Sequence, residues 1–127
     1  MMDRTFSYLK KLASNLGVTI RYSYKMNNTT PSVYDPYSNQ IVLNMNATDM
    51  LFQFAHEIAH SLTRESCLLY KTSNIFHSKA EYEANSLAIK ILKDFYFKDV
   101  EIENRRIDNF MLYYKIPYNF WDLCMTA

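Results

Sequence analysis

A chain of 127 residues is long enough to bury a core as one domain without disulfide staples, and a composition 49% hydrophobic and 16% aromatic is far from that of a disordered polypeptide. The formal net charge is +1 with Lys and Arg scattered, which argues against a dedicated nucleic-acid surface, and a single glycine excludes a glycine-rich phosphate cradle. No stretch approaches the ~20 apolar residues of a membrane span, and the N-terminal MMDRTFSYLKKLAS lacks the apolar run of a secretory signal. Cys67 and Cys124 stand far apart and outside any CxxC pairing; they read as free thiols of a reducing compartment, with a single disulfide as the other option. A soluble, cytoplasmic protein without direct membrane or nucleic-acid contacts is expected.

Along the chain, Phe6, Leu9, Leu12, Ala13 and Leu16 recur at helical spacing, and Gly17 supplies a stop. VTIRYSY (18–24) alternates Val18, Ile20, Tyr22 and Tyr24 as a half-buried strand does. SVYD (32–35) and QIVLNM (40–45) flank the turn-forming DPYSN and predict a hairpin. NATD (46–49) opens a helix, with Asn46 as its cap and Asp49 in its first turn, running to about Thr63. Residues 65–77 lack a clean period and read as a loop or short irregular helix; Ser78 is placed to cap a second long helix over about 79–96. After the polar KDVEIENRR, Pro117 splits the last segment into two short helices, whose Phe110, Leu112, Tyr113, Ile116, Phe120, Trp121 and Leu123 read as core packing. The sum is one α+β domain over 1–127, a small three-stranded antiparallel or mixed sheet packed on helices, with a core of about 1–97 and a helical tail of about 104–127.

The segment FAHEIAH carries the chemistry. His56 and His60, four apart on a helix, point the same way and offer two imidazole nitrogens to one ion; Glu57, beside them, is placed to take a proton from a water that zinc acidifies towards a pKa of ~7. The competing view is a solvated helix face. Leu51, Phe54, Ala55, Ile58 and Leu62 form an apolar stripe, and Gln53, His56, Glu57, His60 and Arg64 lie opposite, where the histidines could simply meet water.

A catalytic zinc usually has three protein ligands and one open position. A third histidine six residues after His60 is missing, since Ser66 stands there, with Thr63 where that pattern needs glycine. The stronger source is KAEYEANSLAIKIL. On a helical wheel Glu83 falls with Lys79, Lys90 and Asp94 on a solvated face, whereas Glu81 falls among Ala84, Asn85, Ala88 and Leu92. A carboxylate in an apolar stripe needs a partner, and a metal ion is one. Ala84 and Ala88 allow a neighbouring helix close, and Asn85, one turn on, is placed to orient a ligand histidine. The alternative for Glu81 is a capping box, Ser78-x-x-Glu81, which leaves Asn85 without a role.

HEIAH followed some twenty residues later by Glu81-x-x-Ala84-Asn85, behind a helix and a short three-stranded region, resembles the ImmA/IrrE metallopeptidases, compact gluzincin-like zinc peptidases, over roughly residues 15–95. The resemblance implies a zincin-like fold with one Zn2+ per chain on His56, His60 and Glu81, Glu57 as general base and Asn85 behind the ligands. It also implies that QIVLNM is the edge strand that pairs with an extended substrate, and that a Tyr or His assists at the oxyanion, with Tyr82 and His77 as candidates. The chain departs from its relatives where they commonly continue with Phe-Ala and Leu-Leu-Met-Pro; here the place reads SLAIKILKDFYF, which leaves the substrate open. Such enzymes often act on repressors of mobile elements or stress regulons. With no helix-turn-helix ahead of the metal motif, the expected partner is a separate helix-turn-helix repressor. Two other classes stay open. One is a zinc-binding interaction module without catalysis, an anti-repressor or toxin–antitoxin partner, against which Glu57 speaks. The other is a DNA-binding protein using the helix-Pro-helix tail, against which its acidic and aromatic composition speaks.

Overall fold

The computed structural model describes residues 2–65, 68 and 74–127, with the side chains of residues 2, 3 and 74–77 outside the description. The fold is α+β. Helix α1 (Met2–Asn15) leads into β1 (Thr19–Ser23), followed by β2 (Val33–Asp35), β3 (Gln40–Asn44), α2 (Met50–Leu62) and the long α3 (Asn74–Tyr96). A 3-10 turn (Ile102–Asn104) precedes α4 (Ile107–Tyr114), and a second (Tyr118–Phe120) precedes α5 (Trp121–Thr126). Most of the irregular segment expected at 65–77 lies outside the described residues.

The sheet is mixed, in the order β1-β3-β2: β3 runs parallel to β1 and antiparallel to β2, with Tyr34 opposite Ile41. The predicted hairpin forms. Asp35 accepts from the Tyr37 amide at 3.0 Å and the Ser38 hydroxyl at 2.8 Å, and Asn39 takes the left-handed conformation (φ 54°) that asparagine tolerates. The expectation that QIVLNM forms the edge is overturned. β3 is central because its Ile41 and Leu43 are fully buried and it is flanked on both sides; the edge strand is β2. On the opposite edge, β1 keeps Ile20 half-buried, but Tyr22 and Tyr24 are exposed, so its alternation is weaker than the sequence suggests.

One core joins the helices and the sheet. Leu9 and Ala13 of α1, Ile41 and Leu43 of β3, Phe54 and Ile58 of α2, and Ala88 and Leu92 of α3 pack with Phe110, Tyr114 and Cys124 of the C-terminal segment. Gly17, at φ 75°, turns the chain from α1 into β1, a conformation that would strain any side chain. The C-terminal segment is tied in by a buried hydrogen bond between the hydroxyls of Thr5 and Tyr114, and by Lys93, whose ammonium donates to the carbonyls of Cys124 and Ala127 at 2.7 and 2.8 Å. Leu112 departs from the expected core packing at 77% exposure, because a short helix laid on the core has only one inner face, here taken by Phe110, Met111 and Tyr114. Cys124 is a buried free thiol, whereas Cys67 lies outside the described residues.

Two expected helix caps are corrected. Asn46 does not cap α2; its amide donates to the carbonyls of Tyr24 and Met26, fastening the segment after β1, and Asp49 takes the cap position without a side-chain bond to the helix amides. Ser78 lies inside α3, which begins at Asn74, so it cannot cap that helix and the capping-box account of Glu81 falls.

Candidate metal centre

The seam between α2 and α3 is made of alanines. Ala55 and Ala59 on α2 and Ala80, Ala84 and Ala88 on α3 are fully buried, so the two backbones approach closely. This seam changes the character of α2. Glu57 and His60, placed on a polar face by the helical wheel, are buried, while Leu62, assigned to the apolar stripe, is 47% exposed. The histidines therefore do not face bulk water.

Across the seam three donors converge. His56 Nε2 lies 3.1 Å from Glu81 Oε2 and 3.1 Å from His60 Nε2, and His60 Nε2 lies 3.0 Å from Glu81 Oε1. The two imidazole rings stand nearly perpendicular, at 86°, so both nitrogens aim at one point from different sides. Two imidazole nitrogens and a carboxylate bring more lone pairs together than their own protons satisfy, and a cation resolves that conflict. The spacing fits. A tetrahedral ion with bonds of about 2.0–2.1 Å holds its ligand atoms about 3.3 Å apart, close to the separations seen, and N/N/O is a donor set that suits zinc. Among the described residues, His56, His60 and Glu81 form the group that could hold a metal ion. Glu83, the other carboxylate of EYEAN, is outside it, and Lys90 pairs instead with Asp94 at 3.5 Å on the exposed side.

The electrostatics follow from these contacts. Hydrogen bonds from His56 and then His60 hold the Glu81 carboxyl far below the usual carboxylate range, against a partial burial that would raise it. For His56, burial alone pushes the imidazole down, but the hydrogen bond to Glu81, the charges of Glu57 and Glu81 and a hydrogen bond to Asn85 outweigh it, and the net shift is upward. Burial pushes Glu57 up to about 8; the charge of His56 opposes this, that of Glu81 adds to it, and a hydrogen bond from the Tyr34 backbone amide opposes it again. A carboxyl poised in this way suits proton transfer near neutral pH.

These groups line a cleft of about 490 Å³ between β2 and α2, closed on one side by Glu81 and Asn85. Asn85 thus reaches His56, as the sequence suggests. Tyr82 turns outward at 62% exposure and does not line the cleft, and the side chain of His77 lies outside the described residues. Sequence reasoning missed the residues that hold the opposite wall. Gln53 Oε1 accepts from the Ser32 amide at 2.9 Å and the Ser32 hydroxyl at 2.7 Å, while Gln53 Nε2 donates to Asp49 at 2.7 Å. Ser32 Oγ in turn accepts from the Asn44 amide at 2.9 Å, and Asn44, fully buried, holds the carbonyls of Asn27 and Thr30. The signal available was Asn44 itself, a polar residue directly after the apolar run Ile41–Leu43 of its strand.

A chain with this fold and this histidine-glutamate cluster matches the Peptidase M78 family, the IrrE N-terminal-like domain, over residues 13–124. It belongs to that metallopeptidase family. No curated protein and no solved structure matches it. Among the described residues, no helix is long and apolar enough to cross a membrane.

Proposed function

We propose that the protein is a zinc-dependent endopeptidase whose metal ligands bridge the α2–α3 seam and whose general base, Glu57, faces β2 across the cleft. The observation that carries this reading is a buried carboxyl, Glu57, set beside the converging His56, His60 and Glu81 at the floor of an open cleft. His56, His60 and Glu81 would hold the ion, and Asn85 would fix the ring of His56. When bound, zinc supplies Lewis acidity to water and to a peptide carbonyl. Glu57 takes the proton of the attacking water and delivers it to the leaving amine. The Tyr34 amide keeps that carboxyl aimed into the cleft. The substrate chain lies between β2 and α2, since that is the space the cleft leaves. A repressor-type regulatory protein as the target rests on the family resemblance alone.

Metal analysis of the purified wild type against His60→Ala tests the ligand set; equal zinc in both would sink it. Glu57→Gln should retain zinc and lose cleavage by about 10²-fold or more, because the amide keeps the shape but cannot accept the proton. Co-incubation with a helix-turn-helix repressor encoded beside it should yield a discrete, chelator-sensitive fragment. Zinc binding with an intact repressor and intact generic peptide substrates would favour a non-catalytic binding module.

A further inference from the structure

We propose that Gln53 is a positioning residue: through Ser32 it sets edge strand β2 against the active-site helix and so fixes the Tyr34 amide that holds Glu57. The hydrogen bonds form one directional chain. The Asn44 amide donates to the Ser32 hydroxyl, that hydroxyl donates to Gln53 Oε1, and Gln53 Nε2 donates to Asp49. The Ser32 backbone amide donates to the same Gln53 oxygen. Ser32 is 4% exposed and Asn44 fully buried, so the bond between them is sheltered from water, while those of Gln53 to Ser32 and Asp49 are part-buried at the cleft wall.

The geometry gives the chain its purpose. β2 is only three residues long and pairs with β3 alone, so its own ladder holds it weakly. Two backbone amides at this strand bond α2, that of Ser32 just before it on Gln53 and that of Tyr34 on Glu57, two residues apart on the strand side and four apart on the helix side. Two residues of strand and four residues of helix advance by similar lengths, about 6.6 Å and about 6 Å. The strand and helix therefore run in step, and a fixed Ser32 brings Tyr34 to Glu57. At the far end Arg64 closes the run by donating to the Pro36 carbonyl at 2.6 Å. Asp49 completes the arrangement by orienting the Gln53 amide, so that its oxygen and not its nitrogen faces Ser32.

This assignment uses the peptidase reading only for its kinetic arm, and the structural arm stands without it. In amide hydrogen exchange followed by NMR on the zinc-loaded protein, Gln53→Ala should expose the Ser32 and Tyr34 amides about tenfold, while amides of α3 keep their protection. Cleavage should fall about tenfold in kcat with zinc content little changed, since the metal contacts remain. The decisive variant replaces the donor and acceptor together. Gln53→Glu alone should behave like Gln53→Ala, because the carboxylate it introduces faces Asp49 with like charge. Asp49→Asn combined with Gln53→Glu should restore both exchange protection and kcat to within about threefold, since the side-chain amide introduced on one residue donates to the carboxylate introduced on the other and Ser32 still finds its acceptor. Wild-type protection of Ser32 and Tyr34 in Gln53→Ala would overturn the proposal, as would a double variant no better than Gln53→Glu. A chain that exchanges as expected but cleaves nothing, wild type included, would overturn the peptidase reading and leave the strand placement standing.

Discussion

On its α3 side, helix α2 is approached through alanines; on its β2 side, it is approached through hydrogen bonds. Ala55 and Ala59 of α2 and Ala80, Ala84 and Ala88 of α3 are fully buried, and Glu81 meets His56 and His60 at the partly exposed margin of that seam. Across the cleft, the Ser32 and Tyr34 amides bond Gln53 and Glu57; the Tyr34 ring is buried in the core, while Val33 between them is 50% exposed. Close packing tolerates almost no change of volume and places the three donors within 3.0–3.1 Å of one another. Hydrogen bonds hold direction with less energy, and here they hold the wall that lines the cleft.

The largest effect is expected where packing is tightest. Ala84→Leu forces the helices apart and should cost about 3 kcal/mol in chemical denaturation, the upper end for overpacking a full core site. It should also weaken zinc binding by at least about tenfold, because Glu81 moves with α3. A variant with unchanged stability would mean that the seam has slack.

A test on the Glu57 side uses pH. In metal-free protein the folded carboxyl keeps its proton up to about 8, while the unfolded one releases it near 4.5, so between those values the folded chain binds more protons and stability falls as pH rises. His56, also raised, acts in the same direction: its contribution is present below 6.5 and is lost as pH climbs through its folded value. Glu81 acts oppositely, stabilising above the carboxylate range and losing that contribution on acidification. Comparison of wild type with Glu57→Gln isolates the first term. The variant should be the more stable near pH 8, by about 4 kcal/mol, and the gap should close towards pH 4.5. Equal pH profiles for the two proteins would place Glu57 in water.

On the β2 wall, Ser32→Ala strands the Asn44 amide and one lone pair of Gln53, and should cost about 1–2 kcal/mol in a thermal melt at constant zinc. A loss as large as that of Ala84→Leu would erase the contrast between the walls. The smallest effect is expected at Glu83 on α3. Glu83→Gln should leave zinc affinity unchanged and alter stability by no more than about 0.5 kcal/mol, whereas Glu81→Gln should weaken zinc affinity by at least about tenfold. Competitive zinc titration separates them, and a sensitive Glu83 would contradict the geometry seen here.

Much of the site could be read from spacing alone. His56, Glu57 and His60 share one face by helical period, and Glu81 and Asn85 follow from a carboxylate and an amide set among alanines. The helix-Pro-helix ending and the DPYSN hairpin also follow from local chemistry. Three features were not legible. The rank of β3 as central strand depends on β1 folding back beside it, a contact of distant residues that strand propensity cannot order. The start of α3 before Ser78 overrode a matching cap motif. The role of Gln53 depends on Ser32, 21 residues away, and nothing in either local pattern announces the pairing.

The amino-acid sequence by itself determined which side chains share a helix face and which metal chemistry they suit, because helical period and donor type are local properties. The tertiary structure decided which of those faces is dry. It buried Glu57 and raised its carboxyl to about 8, and it drew Glu81 onto the two histidines. It also set β2, not β3, along the cleft. Burial, charge coupling and strand order arise from the packing of segments far apart in the chain, so only the folded arrangement specifies them.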